Sequence, residues 1–115
     1  MNTRKSAREL TVDLLPRSIC RVGVTAVLSD NWGVFSWGWN HQNSAGLGEH
    51  AEVHAISRAS KKRLPGSTLT VFGKRKKGSY VMAFPCPECY SLALKYGIGR
   101  IEYHSKHGWK VLDLF

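Results

Sequence analysis

Two hydrophobic periods alternate along the chain, and their order predicts helix, strand, strand, helix, strand, helix, strand, strand. "MNTRKSARELTVDLL", residues 1–15, places Ala7, Leu10 and Leu14 on one face of a helix, which Pro16 stops. In "SICRVGVTAVLSD" Val22, Val24, Ala26 and Leu28 alternate with smaller or polar residues, as in a half-buried strand. "DNWG" is a turn and "VFSWGWN" the returning strand, with Phe35, Trp37 and Trp39 on one face as packing surface. A helix over residues 50–63 follows. Its Ala51, Ala55 and Ala59 recur every fourth position beside Ile56, a narrow face suited to close packing on a sheet, and Pro65 and Gly66 end it. "STLTVFG" is a third strand, which "GSYVMAF" prolongs or leads onward. A second helix over residues 87–96 has Pro87 at its first position and Gly97 placed for a left-handed cap. "RIEYHS" and "WKVLDLF" are joined too closely for anything but an antiparallel hairpin, since a parallel return needs about a dozen residues.

This order describes an α/β layered domain around one sheet, spanning residues 1–115 as a single unit. With 43% hydrophobic and 22% charged residues, wholesale disorder is excluded. No apolar run approaches the roughly 20 residues of a membrane span. Asp13 interrupts "LTVDLL" after the basic start, so no signal sequence is expected and a cytoplasmic location is. Three cysteines argue against a disulfide framework: Cys86 and Cys89 have metal or redox spacing, while Cys20 reads as a reduced core residue. The net charge of +9 favours a polyanionic or phosphorylated partner, and it concentrates in Lys61-Lys62-Arg63 and Lys74-Arg75-Lys76-Lys77.

The chemistry lies in two short stretches. Cys86 and Cys89, at i and i+3 where a helix begins, share a face and can grip one metal, and a helix N-terminus favours their thiolate form. His50 opens the other helix and can supply a third ligand. Three protein ligands leave zinc a position for water, the mark of a catalytic site. Glu52 can sit beside that water without binding the metal and carry its proton to a leaving group. A closed alternative recruits His54, one turn after His50, into a four-ligand structural clamp. The 31 residues between His54 and Cys86 far exceed the roughly 12 of finger-type sites, and that reading leaves Glu52 without a role. A redox role for Cys86 and Cys89 ignores the histidine and the glutamate. His41, His104 and His107 fall near turns and read as surface residues.

His50-Ala51-Glu52 followed by Pro85-Cys86-Pro87-Glu88-Cys89 resembles the H-x-E … P-C-x-x-C signature of the zinc-dependent nucleobase deaminases. The resemblance covers residues 20–115. It implies a three-layer cytidine-deaminase-like fold, with a central mixed sheet of about five strands flanked by helices and a C-terminal antiparallel hairpin. It also implies Zn2+ on His50, Cys86 and Cys89, Glu52 as the proton shuttle, and main-chain contacts to the base from Ala51, Phe84 and Pro85. Asn40 matches an asparagine that contacts the sugar. Gln42 stands where the free-nucleoside branch usually has a glutamate as its second sugar contact. A histidine rather than cysteine as first ligand, and "PCPEC", look more like the deoxycytidylate, tRNA-adenosine and polynucleotide branches; the final hairpin is closer to the nucleoside branch. The resemblance makes a homo-oligomer an expectation as well.

A length argument places the charge. A helix of about 14 residues runs roughly 20 Å from the site, carrying Lys61-Lys62-Arg63 to the far end. The next strand returns Lys74, Arg75, Lys76 and Lys77 to the level of the site, as a rim for phosphate or nucleic acid. Trp32, Tyr80 and Trp109 are candidates for stacking on bases. The expected function is hydrolytic conversion of cytosine to uracil in a phosphate-bearing (deoxy)cytidine substrate, either a free nucleotide or single-stranded DNA or RNA. The alternatives are an adenine-type deaminase and a non-catalytic, basic, zinc-stabilised nucleic-acid-binding module.

Overall fold

A computed structural model of the protein describes residues 5–42 and 46–115. Helix α1, Ala7–Leu14, begins in a capping box: Glu9 N–H donates to Ser6 Oγ, and Ser6 N–H donates back to the Glu9 carboxylate. Pro16 does not stop the chain abruptly. Leu15–Arg17 continues as one 3₁₀ turn, with the proline at its start, where no N–H is needed. Strands β1 (Val22–Asp30) and β2 (Gly33–Trp39) form the first hairpin. The short pair β3 (His41–Gln42) and β4 (Gly48–Glu49) leads into α2 (Ala51–Arg58). Strand β5 (Thr68–Arg75), helix α3 (Pro87–Lys95), and strands β6 (Arg100–Ser105) and β7 (Gly108–Asp113) complete the chain.

The main sheet has the order β2-β1-β5-β6-β7. Only β5 and β6 run parallel, so the sheet is mixed, and β6–β7 is the expected antiparallel hairpin. Gly97 (φ +74°) ends α3 and Gly108 (φ +98°) makes the tight turn into β7, backbone states that suit glycine. The three layers follow from what each sheet face must hide. Ala26, Leu28, Leu69, Val71 and Ile101 meet Ala51, Ala55, Ile56 and Ala93 of α2 and α3 in one buried cluster. On the opposite face Thr25 Oγ1 donates to the Thr11 carbonyl (2.7 Å), fixing α1 against β1.

Several expectations need correction. Strand β1 is not half-buried: residues 25–28 are all inaccessible because α1 covers one face and α2 the other. Helix α2 spans eight residues rather than fourteen, about 12 Å. Ala59 turns extended, and the Lys61 ammonium donates to the carbonyls of Ile56 and Ala59, closing the helix end. Arg63 is no free cation either, since it grips both oxygens of Asp30 at 2.8 and 2.7 Å. Cys20 is free but lies outside the core, half-buried before β1, with Sγ 3.7 Å from the Asn40 carbonyl. His104 is a strand residue packed among Phe72, Tyr80 and Trp109, and its Nδ1 is buried without a partner. In the aromatic stripe Phe35 packs on the core, while Trp37 and Trp39 lie on the sheet's outer strand beneath Arg58.

One contact positions α2. A Cβ on Gly38 would fall 2.6 Å from the Ala55 nitrogen and 2.7 Å from the Ala51 carbonyl oxygen. Helix and strand backbones therefore touch there, and the Ser36 hydroxyl beside them donates to the Ala55 carbonyl (2.6 Å). Gly38→Ala is expected to force α2 outward and cost about 1–3 kcal/mol. In thermal unfolding that is a fall of roughly 4–8 °C per kcal/mol; an unchanged midpoint would show that the helix is held elsewhere.

Candidate active site

His50 and Cys86 occupy the same position on two different helices, the residue just before the first turn. Their carbonyls accept the first helical hydrogen bonds, from His54 N–H (3.0 Å) and Tyr90 N–H (2.8 Å). Neither side chain caps its own helix. Instead they converge: His50 Nδ1 lies 3.4 Å from Cys86 Sγ and 3.3 Å from Cys89 Sγ, which is one turn further along α3. The three donor atoms lie within 4.8 Å of one another, graded from exposed His50 through half-buried Cys86 to fully buried Cys89.

Burial favours the neutral forms of Cys89 and Glu52, and a bound cation would favour the charged ones. Burial pushes the Cys89 thiol well above the usual range, and Glu52, Cys86 and Glu88 push it further. Burial likewise raises the Glu52 carboxyl, offset in part by its own backbone N–H and by His50. Two thiols and an imidazole are the donor set zinc prefers, and a dication among them would reverse the penalty on the thiolates. The residues present fit the metal. His54 does not join them, so the closed four-ligand clamp is overturned: its Nδ1 accepts the Trp39 N–H (3.2 Å), and its ring packs edge-on against Trp39 and His41.

A cavity of about 450 Å³ opens beside the cluster. His50, Ala51 and Glu52 form one wall, Asn40 and the start of β1 a second, and Arg75 with residues 81–84 the rest. That segment is strapped to two strands: Val81 N–H donates to the Gly73 carbonyl and Ala83 N–H to that of His104. The cavity sits at the carboxyl ends of parallel β5 and β6, where ligands bind in open α/β sheets.

A family model described as "Cytidine and deoxycytidylate deaminase zinc-binding region" matches residues 2–105. The chain belongs to that family. It is a zinc-dependent deaminase of the cytidine and deoxycytidylate type. Solved structures share its fold. The dCMP deaminase of cyanophage S-TIM5 matches at 21% identity over 86% of this chain and 79% of that one, TM-score 0.68. The same enzyme in complex with dCMP and dUMP matches at 22%, over 84% and 76%, TM-score 0.64. Cytidine deaminase from Burkholderia pseudomallei matches at 20% identity over 93% and 89%, TM-score 0.68. No curated protein matches the chain in sequence.

The other expected site residues of this deaminase are divided. Asn40 lines the cavity, but its amide is already engaged: Oδ1 accepts from Ser18 Oγ (2.6 Å) and Val24 N–H (2.9 Å), and Nδ2 donates to the Val22 carbonyl (2.8 Å). Ala51 and Phe84 also line it, Pro85 is buried, and Gln42 is exposed on β3, off the cavity wall. Of the basic run only Arg75 reaches the cavity. The "AFPC" stretch already pointed to Ala83, but sequence reasoning did not single out Val81 and Met82, although their position just before it was the available signal.

Metal binding should release protons, because the buried Cys89 thiol must ionise to bind. Zinc affinity of the stripped protein is expected to rise about tenfold per pH unit between pH 6 and 8 for each thiol that gives up its proton. Competition with a chelator measures this, and pH-independent affinity would contradict it.

Proposed function

We propose that the protein converts cytosine to uracil in a phosphate-bearing (deoxy)cytidine substrate. The observation that carries this is Arg75 lining the same cavity as His50 and Glu52, which supplies a cation for a phosphate carried by the substrate. The cyanophage structure that shares this fold holds dCMP and dUMP, a nucleotide pair related by the proposed reaction. Cytoplasmic location and assembly from identical copies belong to the same reading.

Zinc held by His50, Cys86 and Cys89 would supply Lewis acidity that makes water nucleophilic near neutral pH. The chain's own groups do the rest. Ala51 and residues 83–84 bound the space for a flat ring, and the apolar side chains of Val24 and Phe84 limit the water around it. Glu52, 5% exposed, is shielded from bulk solvent. In this reading its carboxylate takes the proton of the attacking water, gives it to the ring nitrogen, and carries the second proton to the amino group. A C–O bond forms, the C–N bond breaks, ammonia leaves, and Glu52 ends as it began.

Glu52→Gln preserves shape and removes the shuttle. It is expected to retain zinc while losing about 10²–10⁴-fold in turnover of dCMP, followed by ammonia release; full activity in this variant would refute the assignment. Arg75→Gln is expected to raise KM for dCMP about tenfold while changing KM for deoxycytidine far less. Equal effects on both would place the phosphate elsewhere.

A further inference from the structure

Some of the described cations are held in ion pairs and others are not. Lys5, Arg8, Arg63 and Arg100 are each paired with a carboxylate. Among the described residues no ion pair engages Lys74, Arg75 or Lys76, although they stand together at the end of β5 beside the active-site cavity. A second cavity of about 280 Å³ lies next to the first, lined by Lys74, Lys76, Ser18, Cys20 and the glycines at 23 and 78. Arg75 lines both and forms the lip between them.

Strand geometry explains the arrangement. Val22 pairs with Arg75, Gly23 with Lys74 and Val24 with Gly73. Side chains alternate along a strand, so Val22, Val24 and Arg75 face the active-site cavity while Gly23 and Lys74 face the α1 side. Lys74 and Arg75 therefore leave β5 on opposite faces, although the Arg75 side chain reaches the margin of both cavities. The second cavity is held open by hydrogen bonds: Lys76 N–H donates to the Arg21 carbonyl (2.9 Å), Gly78 N–H to that of Arg75 (2.8 Å), and the Ser18 hydroxyl to Asn40. At its margin Tyr80 is 47% exposed, with the Lys74 ammonium 5.4 Å from its ring centre.

We propose that the second cavity is a phosphate subsite for the neighbouring nucleotide, so that the substrate is a single strand of nucleic acid crossing the sheet end over Arg75. The inference rests on the deaminase reading above and names its substrate class. The first phosphate meets Arg75, the next meets Lys74 and Lys76, and Tyr80 offers a ring for the adjoining base. Deamination of a base also requires it to be out of a duplex, which a single strand already satisfies.

Binding reads the subsite separately from chemistry. Zinc-loaded Glu52→Ala protein is titrated with dCMP and with the di- and trinucleotides of deoxycytidylate, alongside the ribonucleotide series. The trinucleotide is expected to bind at least about tenfold tighter than dCMP, with affinity falling about 0.7 log units per log unit of salt for each phosphate contact. Adding K74Q/K76Q should leave the trinucleotide no tighter than dCMP and flatten its salt dependence to match, and Y80A should remove about tenfold of the gain. A trinucleotide that binds like dCMP in both sugar series, or a double variant that keeps the full gain, overturns the proposal. Product mass with the wild-type protein separates the two readings. Uracil from dCMP without a length-dependent gain leaves the deaminase standing and removes the subsite. The gain without uracil leaves the subsite and removes the deaminase.

Discussion

Cys89 and Glu52 are buried beside one another, and both are groups whose anionic form burial penalises. The Glu52 backbone N–H and His50 offset part of that penalty on Glu52; a cation at the His50–Cys86–Cys89 triangle would relieve it at the thiol as well. The rest of the fold can be understood as the means of holding that triangle together. Two helices begin at the same end of the sheet, and their N-terminal partial charges also favour thiolates. Direct backbone contact between Gly38 and α2 keeps His50 within reach of α3. The metal that this chemistry calls for then becomes part of the folded state's energetics as well as the reaction's.

The sheet also sorts charge. Acidic partners neutralise Arg8 and Arg63, on the sheet's α1 face and at the end of β1 away from the site. Lys74, Arg75 and Lys76, which no ion pair engages among the described residues, stand where β5 ends, beside the cavity. Three of the cations behind the net charge of +9 thus stand at one mouth, where a polyanion would be drawn by the local field.

Much of this was legible because it rests on local rules. Pro87 and Gly97 bracket α3, the alanines every fourth residue give α2 its packing face, and the short link fixes the final hairpin as antiparallel. The three donors were readable from spacing, since a helix start places i and i+3 on one face. What escaped was decided by tertiary contacts. The length of α2 depends on Lys61 reaching back to its last carbonyls, and the exclusion of His54 depends on the Trp39 N–H. Burial of both faces of β1 requires α1 to lie across it. The division of the basic run between two cavities depends on strand parity, which is visible only once the register Val22 to Arg75 is known.

The central claim is that the buried cluster hydrolyses an amino group from cytosine. Incubating the zinc-loaded protein with dCMP and a cytosine-containing single strand, once in ordinary water and once in water enriched in heavy oxygen, tests it most directly. The product should be heavier by about 1 Da in the first and about 3 Da in the second, since the new oxygen comes from solvent. A substrate mass unchanged in both waters, with zinc bound, would contradict the account.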